Sequence, residues 1–360
     1  MNYFVNEYQV MEYAQRTAGI KARDDVSSIY RSKGLGEISI PLKKERDHTA
    51  LGLCLLAKDQ VTATYYWNKA FQNLEQGDKV YIQFPLVSHS IFIGSVFHRL
   101  KRKGIKIVLL IHDLESFRMQ FKQDTNILVR KGFEFEENGA LKWADEIIFH
   151  NKKMASAALK MGIARDKIKI LRIFDYLIPD YDAEKMSTRV IDRKEPVIIA
   201  GNLRKHKAGY IYNLPNNCNF NLYGVGYEDQ KKENIHYYGS FESDDLPYHL
   251  NGSFGLVWDG ESSETCEGLY GSYLKINNPH KTSLYLASGI PVVIWSKAAL
   301  ADFIQTNKCG ITIDSISDIA TKIESLSNEE YLEIRRNVEK IGKLLRNGYF
   351  TLSASGLINR

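Results

Sequence analysis

Short apolar runs alternate with longer amphipathic stretches along the whole chain. In the first half, the runs that predict strands are 2–5, 38–40, 79–84, 106–111, 146–150 and 168–171. After Pro196 the pattern begins again, with runs at 197–200, 220–223, 235–238, 255–258 and 292–295. Strands that alternate with helices in this way predict parallel sheets covered on both faces. Because ligands bind beyond the carboxyl ends of such strands, each strand-to-loop junction is a candidate site.

The length of the chain, 360 residues, favours two domains over one. The stretch 180–195 is polar and lacks a clear period, as a linker does. We therefore predict an N-terminal lobe at 1–185 and a C-terminal lobe at 195–327. The remaining segment, 328–360, begins with helical apolar spacing, and a last helix of this kind often crosses back to the first lobe of a two-lobed fold.

The composition, 44% hydrophobic and 25% charged, is that of a globular protein. A net charge of +5 is too mild to favour nucleic-acid binding, but it suits anionic phosphates and loose contact with an acidic membrane surface. Four widely spaced cysteines predict neither a zinc site nor a disulfide framework. No signal peptide or spanning segment is visible, so we expect a cytoplasmic protein, with the inner face of the membrane within its reach.

The segment 271–295, GSYLKINNPHKTSLYLASGIPVVIW, predicts a helix over 280–288 followed at once by a strand. Pro279 suits the first turn of a helix, where its missing N–H needs no partner. Gly289 suits the left-handed position after the helix, and Pro291 prevents its continuation. The helix start therefore lies next to the residues that precede Pro279.

Those preceding residues carry charge and amide groups that suit an anion. Lys275 and Lys281 flank the helix start, and Asn277 and Asn278 lie between them. A helix N-terminus offers free N–H groups and partial positive charge, so the lysines complete an anion site. The alternative is an ordinary helix–loop–strand unit with solvated lysines.

Three other strand ends in the second half carry candidate ligand contacts. Gly201, Asn202 and Arg204 follow one strand, where glycine admits close backbone approach and arginine can bind phosphate through two hydrogen bonds. Tyr223 and Gly224 open a glycine-rich turn that suits a flat base, although such a turn is a weak signal. The alternative for both loops is a plain turn with solvated charges.

The third strand end carries Asp259, a candidate acceptor for a sugar hydroxyl, and Trp258, either a platform for a sugar ring or a core residue. The acidic loop that follows lacks the ligand spacing of a calcium loop. The adjacent pairs Asp24–Asp25 and Asp244–Asp245 lie in polar stretches and do not have the spacing of a paired-carboxylate metal site. We expect no metal and no other cofactor.

In the first half, His112, Asp113 and Glu115 follow the strand 106–111. A histidine and two carboxylates at a strand end include candidates for a general base. The alternative is that Asp113 only caps the next helix. Farther upstream, Gly19, Lys21 and Arg23 belong to a second candidate loop, in which glycine lets an acceptor approach a helix start and Arg23 lies near phosphate. A plain strand–loop–helix connection is the alternative there.

Seven segments together resemble a bacterial family of GT-B glycosyltransferases. The family includes the glucosyltransferases that extend glycans on serine-rich-repeat adhesins, and related β-1,6-galactofuranosyltransferases. The segments are AGIKARDDV (18–26), IHDLESFR (111–118), ADEIIFHNKKM (144–154), IFDYL (173–177), AGNLRK (200–205), FGLVWDG (254–260) and GSYLKINNPHKTSLYLASGIPVVIW (271–295). They stand in family order over nearly the whole chain, and the last is the most specific.

The resemblance implies an α/β fold of the GT-B type, with two Rossmann-like lobes and a cleft between them. It implies a UDP-sugar donor on the C-terminal lobe, a glycan acceptor on the N-terminal lobe, and a homo-oligomer, either a dimer or a tetramer. By resemblance, Arg204, Lys275, Asn278 and Lys281 contact the diphosphate, and the turn 223–226 forms a wall for the nucleoside.

Many retaining GT-B enzymes carry two glutamates where this chain has Ile276 and Leu284, so the resemblance implies an inverting reaction. We therefore predict that a glucosyl or galactofuranosyl unit moves from a UDP-sugar to a hydroxyl of a glycan, such as GlcNAc on a protein or a lipid-linked oligosaccharide. Two alternatives stay open: an epimerase of similar fold that needs no acceptor, and a non-catalytic subunit that stabilises a partner.

Overall fold

The computed structural model describes residues 1–8, 18–41, 50–87, 90–119, 127–228 and 232–358. The described residues divide into two compact units. The first takes its residues from 1–12, 27–171 and 354–360, and the second from 13–26 and 172–353. The division predicted at 185 and 195 stays a prediction. No described helix is long and apolar enough to cross a membrane.

The first unit contains a six-stranded parallel sheet in the order β2-β1-β3-β4-β5-β6. Its strands are β1 (Asn2–Tyr8), β2 (Gly36–Pro41), β3 (Lys79–Phe84), β4 (Lys106–Ile111), β5 (Glu146–Phe149) and β6 (Ile168–Ile170). The direction of the strand order reverses between the neighbouring strands β1 and β3. In open α/β sheets, ligands bind at the carboxyl ends next to such a reversal.

The helices of this part of the chain are α1 (Ala18–Ser32), α2 (Ala50–Ala70), α3 (Ile93–Arg102), α4 (Glu115–Met119), α5 (Ile127–Trp143) and α6 (Lys152–Lys160). Residues 18–26 of α1 belong to the second unit and the rest of α1 to the first. The amphipathic helix α3 buries Ile93, Val96, Phe97 and Leu100, which share one helical face. Asn151 caps α6, because its side chain accepts a hydrogen bond from the Met154 N–H at 2.9 Å.

The second unit contains another six-stranded parallel sheet, in the order β12-β11-β10-β7-β8-β9. Its strands are β7 (Val197–Asn202), β8 (Phe220–Val225), β9 (Ile235–Tyr237), β10 (Gly255–Val257), β11 (Val292–Trp295) and β12 (Gly310–Ile313). Counted from β7, this is the 3-2-1-4-5-6 order of dinucleotide-binding sheets. The reversal falls between β7 and β10, so their carboxyl ends form the favoured ligand edge.

The helices of the second unit are α7 (Ala183–Ser187), α8 (Lys205–Ala208), α9 (Gly268–Tyr273), α10 (His280–Ala287), α11 (Ala301–Thr306), α12 (Ile319–Glu324), α13 (Asn328–Arg346) and α14 (Tyr349–Ala354), of which only the last residue of α14 belongs to the first unit. A capping box of Ser327 and Glu330 begins α13, and its apolar face packs on α10. Gly342 allows this packing, because a Cβ there would lie 2.6 Å from the Leu286 carbonyl oxygen. The helical spacing predicted from 328 onward is confirmed.

The last described residues belong to the first unit. Ser355 anchors them there: its hydroxyl lies 2.8 Å from that of Tyr30, and its carbonyl accepts a hydrogen bond from the Tyr81 hydroxyl at 3.1 Å. Tyr30 and Tyr81 are buried beside the sheet, so these bonds hold the end of the chain to the core.

Candidate functional site

The carboxyl end of β7 has a backbone conformation that favours glycine. Gly201 has φ of +127°, and a Cβ built there would meet none of the described atoms within 4 Å. Asn202 then stabilises the turn, because its side-chain oxygen accepts a hydrogen bond from the Arg204 N–H at 3.1 Å. The loop therefore presents open backbone and an exposed arginine at the favoured edge of the sheet.

The carboxyl end of β8 pairs with this end of β7, with Gly224 opposite Gly201. Gly224 has φ of +149°, and a Cβ there would lie 1.8 Å from the Gly201 carbonyl oxygen, so only glycine fits. At Gly226 a Cβ would lie 2.3 Å from Cγ of Arg204. The two strand ends that carry the predicted ligand contacts thus meet in a close backbone contact.

Tyr223, predicted as part of a nucleoside wall, is buried beneath the turn. Its ring stacks on Tyr238 with centroids 5.0 Å apart, and its hydroxyl accepts a hydrogen bond from the Asn251 N–H at 3.3 Å. Burial raises the pKa of the Tyr223 hydroxyl, so it stays protonated. This side chain therefore supports the end of β8 from within the protein.

An ion pair joins the end of β10 to the start of α10. The Lys281 ammonium donates to Oδ1 of Asp259 at 2.8 Å and to the Trp258 carbonyl at 2.9 Å. The side chains are only 16% and 9% exposed, respectively, so the pair is largely removed from water. Because α10 connects parallel strands, it runs opposite to them, and its N-terminus lies at the carboxyl edge. Lys281 is therefore held where the sequence predicts the anion site.

Trp258, by contrast, is fully buried, and its indole N–H donates to the Ser262 carbonyl at 2.9 Å. The alternative of a core tryptophan is therefore correct, and a sugar platform at this residue is wrong. The sequence signal was ambiguous because a tryptophan at a strand end suits either role.

The other residues of the predicted anion site differ in what they contact. Lys275 is exposed, with its ammonium 5.5 Å from the centre of the Trp295 ring. Asn278 is buried, and its side-chain amide donates to the Arg172 carbonyl at 2.9 Å. The Asn277 side-chain oxygen is buried without a hydrogen-bond partner among the described residues. A buried acceptor of this kind calls for a donor group, such as a ligand hydroxyl.

The first turn of α10 is held in place by the segment after Leu171. The Ser283 hydroxyl donates to the Phe174 carbonyl at 2.7 Å, and Nε2 of His280 lies 3.1 Å from the Asp175 carbonyl oxygen. Burial lowers the pKa of His280 to about 4, so the ring is neutral and Nε2 carries the proton that it donates. No side chain in the described parts of the chain caps the helix, which begins after Pro279. The backbone N–H groups at the start of α10 therefore lie at the carboxyl edge of the second sheet without a side-chain cap among the described residues.

Lys21, predicted on the acceptor side, lies in α1 and is almost fully buried. Its ammonium contacts Oδ1 of Asp25 at 2.7 Å, the Leu177 carbonyl at 2.9 Å and Oδ1 of Asp244 at 2.5 Å. Three acceptors match its three N–H groups, so the structure gives Lys21 a structural role within the second unit. Gly19 and Arg23 lie in the same first turns of α1, with Arg23 half-buried.

At the carboxyl end of β4, the imidazole of His112 is fixed by a hydrogen bond. Its Nε2 lies 2.7 Å from the side-chain oxygen of Gln83, whose amide group donates to the Ser27 hydroxyl at 3.0 Å. An amide oxygen can only accept, so Nε2 of His112 carries the proton and Nδ1 is the basic nitrogen. His112 can therefore accept a proton only through Nδ1.

The two predicted carboxylates follow within three residues. Asp113 is half-buried, and Glu115, the first residue of α4, pairs with Arg118 at 3.0 Å. The N–H of Ser116 donates to both carboxylate oxygens of Glu137, at 3.2 and 3.3 Å. Glu137 of α5 therefore satisfies the Ser116 N–H in the first turn of α4. No local sequence signal marks Glu137, because the contact joins residues 21 positions apart.

The described residues contain no group of three or more His, Cys, Asp or Glu side chains placed to hold a metal ion. Lysine, arginine and backbone N–H groups at the β7–β10 edge are the groups there that suit an anion. These groups are already oriented, so they can stabilise the negative charge of a bound anion without a change in the protonation of any side chain.

Two family models match the chain. They are described as "Glucosyltransferase 3-like, N-terminal domain", over residues 2–173, and "Glucosyltransferase 3-like, C-terminal domain", over residues 197–356. A curated relative, the beta-1,6-galactofuranosyltransferase WbbI of Escherichia coli (strain K12), is 36% identical over 352 residues, which cover 97% of this chain and 95% of WbbI.

Two solved structures share the fold at low sequence identity. WaaG, a glycosyltransferase involved in lipopolysaccharide biosynthesis, superposes with a TM-score of 0.58 at 10% identity, over 100% of both chains. HepE of Anabaena, solved in complex with UDP, superposes with a TM-score of 0.55 at 13% identity, over 99% of this chain and 98% of the HepE chain. The two parallel sheets and these likenesses confirm the predicted α/β fold of the GT-B class. By both family models and by its identity to WbbI, the chain belongs to the glucosyltransferase 3-like family.

Proposed function

We propose that this protein transfers a hexosyl unit, glucosyl or galactofuranosyl, from a UDP-sugar to a hydroxyl of a glycan acceptor. The observation that carries the proposal is the Lys281–Asp259 pair at the start of α10, at the same sheet edge as the glycine-containing ends of β7 and β8. Family membership and the galactofuranosyltransferase WbbI support sugar transfer, and the UDP in the HepE complex supports the nucleotide.

In this proposal the β7–β10 edge neutralises the diphosphate as the sugar bond breaks. Asp259 and the Trp258 carbonyl take up two N–H groups of Lys281, which orients the ammonium and leaves its third N–H for an oxygen of the leaving group. Lys275, Arg204 and the first N–H groups of α10 supply further positive potential. Such fixed donors stabilise the departing UDP without reorganising during the reaction.

The acceptor reaction requires a base, which we assign to the end of β4. An acceptor hydroxyl attacks the anomeric carbon while Asp113, Glu115 or Nδ1 of His112 takes its proton, and UDP leaves with the bonding electrons. Ile276 and Leu284 cannot provide the carboxylates that many retaining relatives use, so we propose inversion at the anomeric carbon.

The remaining parts of the proposal concern the surroundings of the enzyme. The acceptor is a glycan such as GlcNAc on a protein or a lipid carrier, and the protein works in the cytoplasm as a homo-oligomer. The described cysteines Cys218, Cys266 and Cys309 are free thiols, which suits a reducing compartment.

A panel of UDP-sugars, measured by thermal shift and turnover, tests this proposal. A UDP-hexose or UDP-galactofuranose should raise the unfolding temperature and support turnover with a GlcNAc-bearing acceptor. Stabilisation by none of the UDP-sugars, or by an adenine nucleotide sugar alone, would contradict the donor assignment.

Gly201→Ala should weaken UDP binding about tenfold, because the new methyl group enters the open space at the ligand edge. The same change strains a backbone with positive φ, at a cost of about 1–3 kcal/mol in unfolding free energy. Gly162→Ala is the matched control, since Gly162 has φ of +88° and equally open surroundings at the end of α6. Calorimetry with UDP should separate the two variants, and equal affinity in both would remove Gly201 from the site.

Transfer should survive chelation by EDTA, because the proposed leaving-group site uses protein cations and N–H groups. The measurement is UDP release in metal-free buffer, with and without added manganese or magnesium. Complete loss of turnover on chelation, reversed by either metal, would show that the charge is neutralised by an ion.

A further inference from the structure

One face of the first unit combines exposed cations with exposed aromatic rings. We call it the basic–aromatic face; α3 lies on it between α2 and α5. Its exposed cations are Lys69, Arg99, Lys101, Arg102, Lys103 and Lys142. Its exposed apolar side chains are Val61, Tyr65, Tyr66, Phe92 and Phe135. Neither set contributes to the sheet core or to the candidate site described above.

Specific contacts join the three helices into this one face. Arg99 of α3 donates to the Asn68 side-chain oxygen of α2 at 2.7 Å. The His98 ring of α3 stacks on Trp143 of α5, with centroids 4.1 Å apart. Lys142 lies 5.1 Å from the centre of that same tryptophan ring. The cations of α2, α3 and α5 therefore lie on a continuous surface.

The aromatic end of the face is fixed in the same way. The N–H of Ile91 donates to the Gln60 side chain of α2 at 3.0 Å, and the N–H of Ser90 donates to Glu136 of α5 at 3.0 Å. Phe92 follows directly, and Phe135 precedes Glu136 in the chain. Phe92 is 41% exposed and Phe135 61%, so both rings remain in water although their neighbours are anchored.

The balance of charge on the face is positive. Asp145 pairs with Lys101 at 2.7 Å, and Glu134 of α5 pairs with Arg130 at 2.8 Å, so each of these carboxylates is matched by a cation. The helix α3 has no acidic residue, and an open cleft along it is lined by Ser95, His98, Arg99, Arg102 and Lys103. Among the residues that the structure describes, the exposed cations of the face outnumber these two carboxylates, so the face attracts anions.

The two ends of the basic–aromatic face lie at different distances from the carboxyl edge of the first sheet. Because α3 connects the parallel strands β3 and β4, it runs opposite to them, and its N-terminus lies at their carboxyl edge. Phe92 therefore lies toward the edge that carries Asp113, and the cations of the last turn lie farther from it. A partner surface that binds Phe92 would therefore lie close to Asp113, a candidate base.

We propose that the basic–aromatic face docks on a bilayer that contains anionic phospholipids. Cations attract such a surface within a Debye length, and aromatic rings insert at the boundary between headgroups and acyl chains. Charge attraction and ring insertion are each weak, and together they give reversible peripheral binding that neither gives alone. A second copy of the chain fits less well, because pairing this face with itself would bring like charges together. The proposal concerns binding alone and does not depend on sugar transfer.

Co-sedimentation of the full chain with vesicles tests the proposal. The protein should pellet with phosphatidylcholine vesicles that contain about 30 mol% phosphatidylglycerol, and stay in solution with phosphatidylcholine alone. Raising the salt to about 0.5 M should release it. Arg102→Gln with Lys103→Gln should lower the vesicle partition coefficient about tenfold or more, since each surface cation contributes roughly a fivefold effect. Phe92→Ser should lower it several-fold.

The matched control is Arg336→Gln with Lys340→Gln, which removes two exposed cations from α13 of the second unit. This control should bind vesicles within about twofold of the unchanged protein. Circular dichroism confirms that each variant is folded, and single Arg102→Gln replaces the double variant if the latter unfolds. Three outcomes would overturn the proposal: no binding to anionic vesicles, equal loss in the α13 control, or self-association that the α3 variant abolishes without any effect on vesicles.

Discussion

Asp113→Asn or Glu115→Gln should lower kcat by roughly 10²–10⁴ while UDP-sugar binding stays near normal. Both replacements keep the shape of the side chain and remove its ability to take a proton. An inverting transfer needs one such acceptor for the attacking hydroxyl, and these carboxylates follow β4 at the carboxyl edge of the first sheet. The variant that loses the activity identifies the base.

The structure sharpens this test in two ways. Glu115 forms an ion pair with Arg118 at 3.0 Å, so Glu115→Gln also removes that ion pair. Glu137 accepts the Ser116 N–H, so that cap at the start of α4 stays in place in Asp113→Asn. A loss of turnover in Asp113→Asn without a lower unfolding temperature would therefore report chemistry.

Glu134→Gln is the matched control, because Glu134 forms a similar short-range ion pair with Arg130 at 2.8 Å on α5. Steady-state rates at saturating donor should be unchanged in this control. If both test variants retain near wild-type kcat, the base lies elsewhere, and His112 is the next candidate. Asp24 and Asp25 would follow, and burial raises the pKa of Asp25 to about 7, within the range of a general base.

Lys281→Ala should weaken UDP binding by about 1.5–3 kcal/mol, which is on the order of 10- to 150-fold in Kd. The ammonium is held by Asp259 and by the Trp258 carbonyl at the start of α10, so its charge is fixed at the anion site. Calorimetric titration with UDP measures the loss directly. Lys275→Ala should weaken binding less, because that ammonium is exposed and screened by water.

The same substitution has a separate effect on stability. Without Lys281, the Asp259 carboxylate keeps its buried position but loses its ion-pair partner, at a cost of about 3–5 kcal/mol. Adding Asp259→Asn should recover most of the unfolding free energy and leave UDP binding weak. Lys308→Ala is the control, since Lys308 forms an exposed pair with Glu333. Unchanged UDP affinity in both Lys275→Ala and Lys281→Ala would refute the assigned anion site.

Local features of the fold were predictable from the sequence because they depend on neighbours in the chain. The predicted helix 280–288 is observed as His280–Ala287, Pro279 stands at its start, and Gly289 has φ of +75°. The predicted strands 79–84 and 106–111 are confirmed residue for residue as β3 and β4. In each case apolar runs and punctuating Gly or Pro residues suffice.

Contacts between distant segments were not predictable in the same way. Lys21 meets Leu177 and Asp244, more than 150 residues away, and no local pattern marks that burial. Trp258 had two equal interpretations until its packing decided for the core. Asn278 has the residue type of a phosphate ligand, yet its amide group holds the Arg172 carbonyl. Residue type and spacing propose a role, and the three-dimensional partners decide between that role and a structural one.

The measurement that tests the central claim most directly is UDP release from a UDP-hexose or UDP-galactofuranose with and without a GlcNAc-bearing acceptor. A hexosyltransferase should release UDP in step with the glycosylated product, and release should be slow when the acceptor is absent. Equal release without acceptor would indicate an epimerase or hydrolase, and no release with any donor would indicate a non-catalytic subunit. Either result would contradict the proposed transfer.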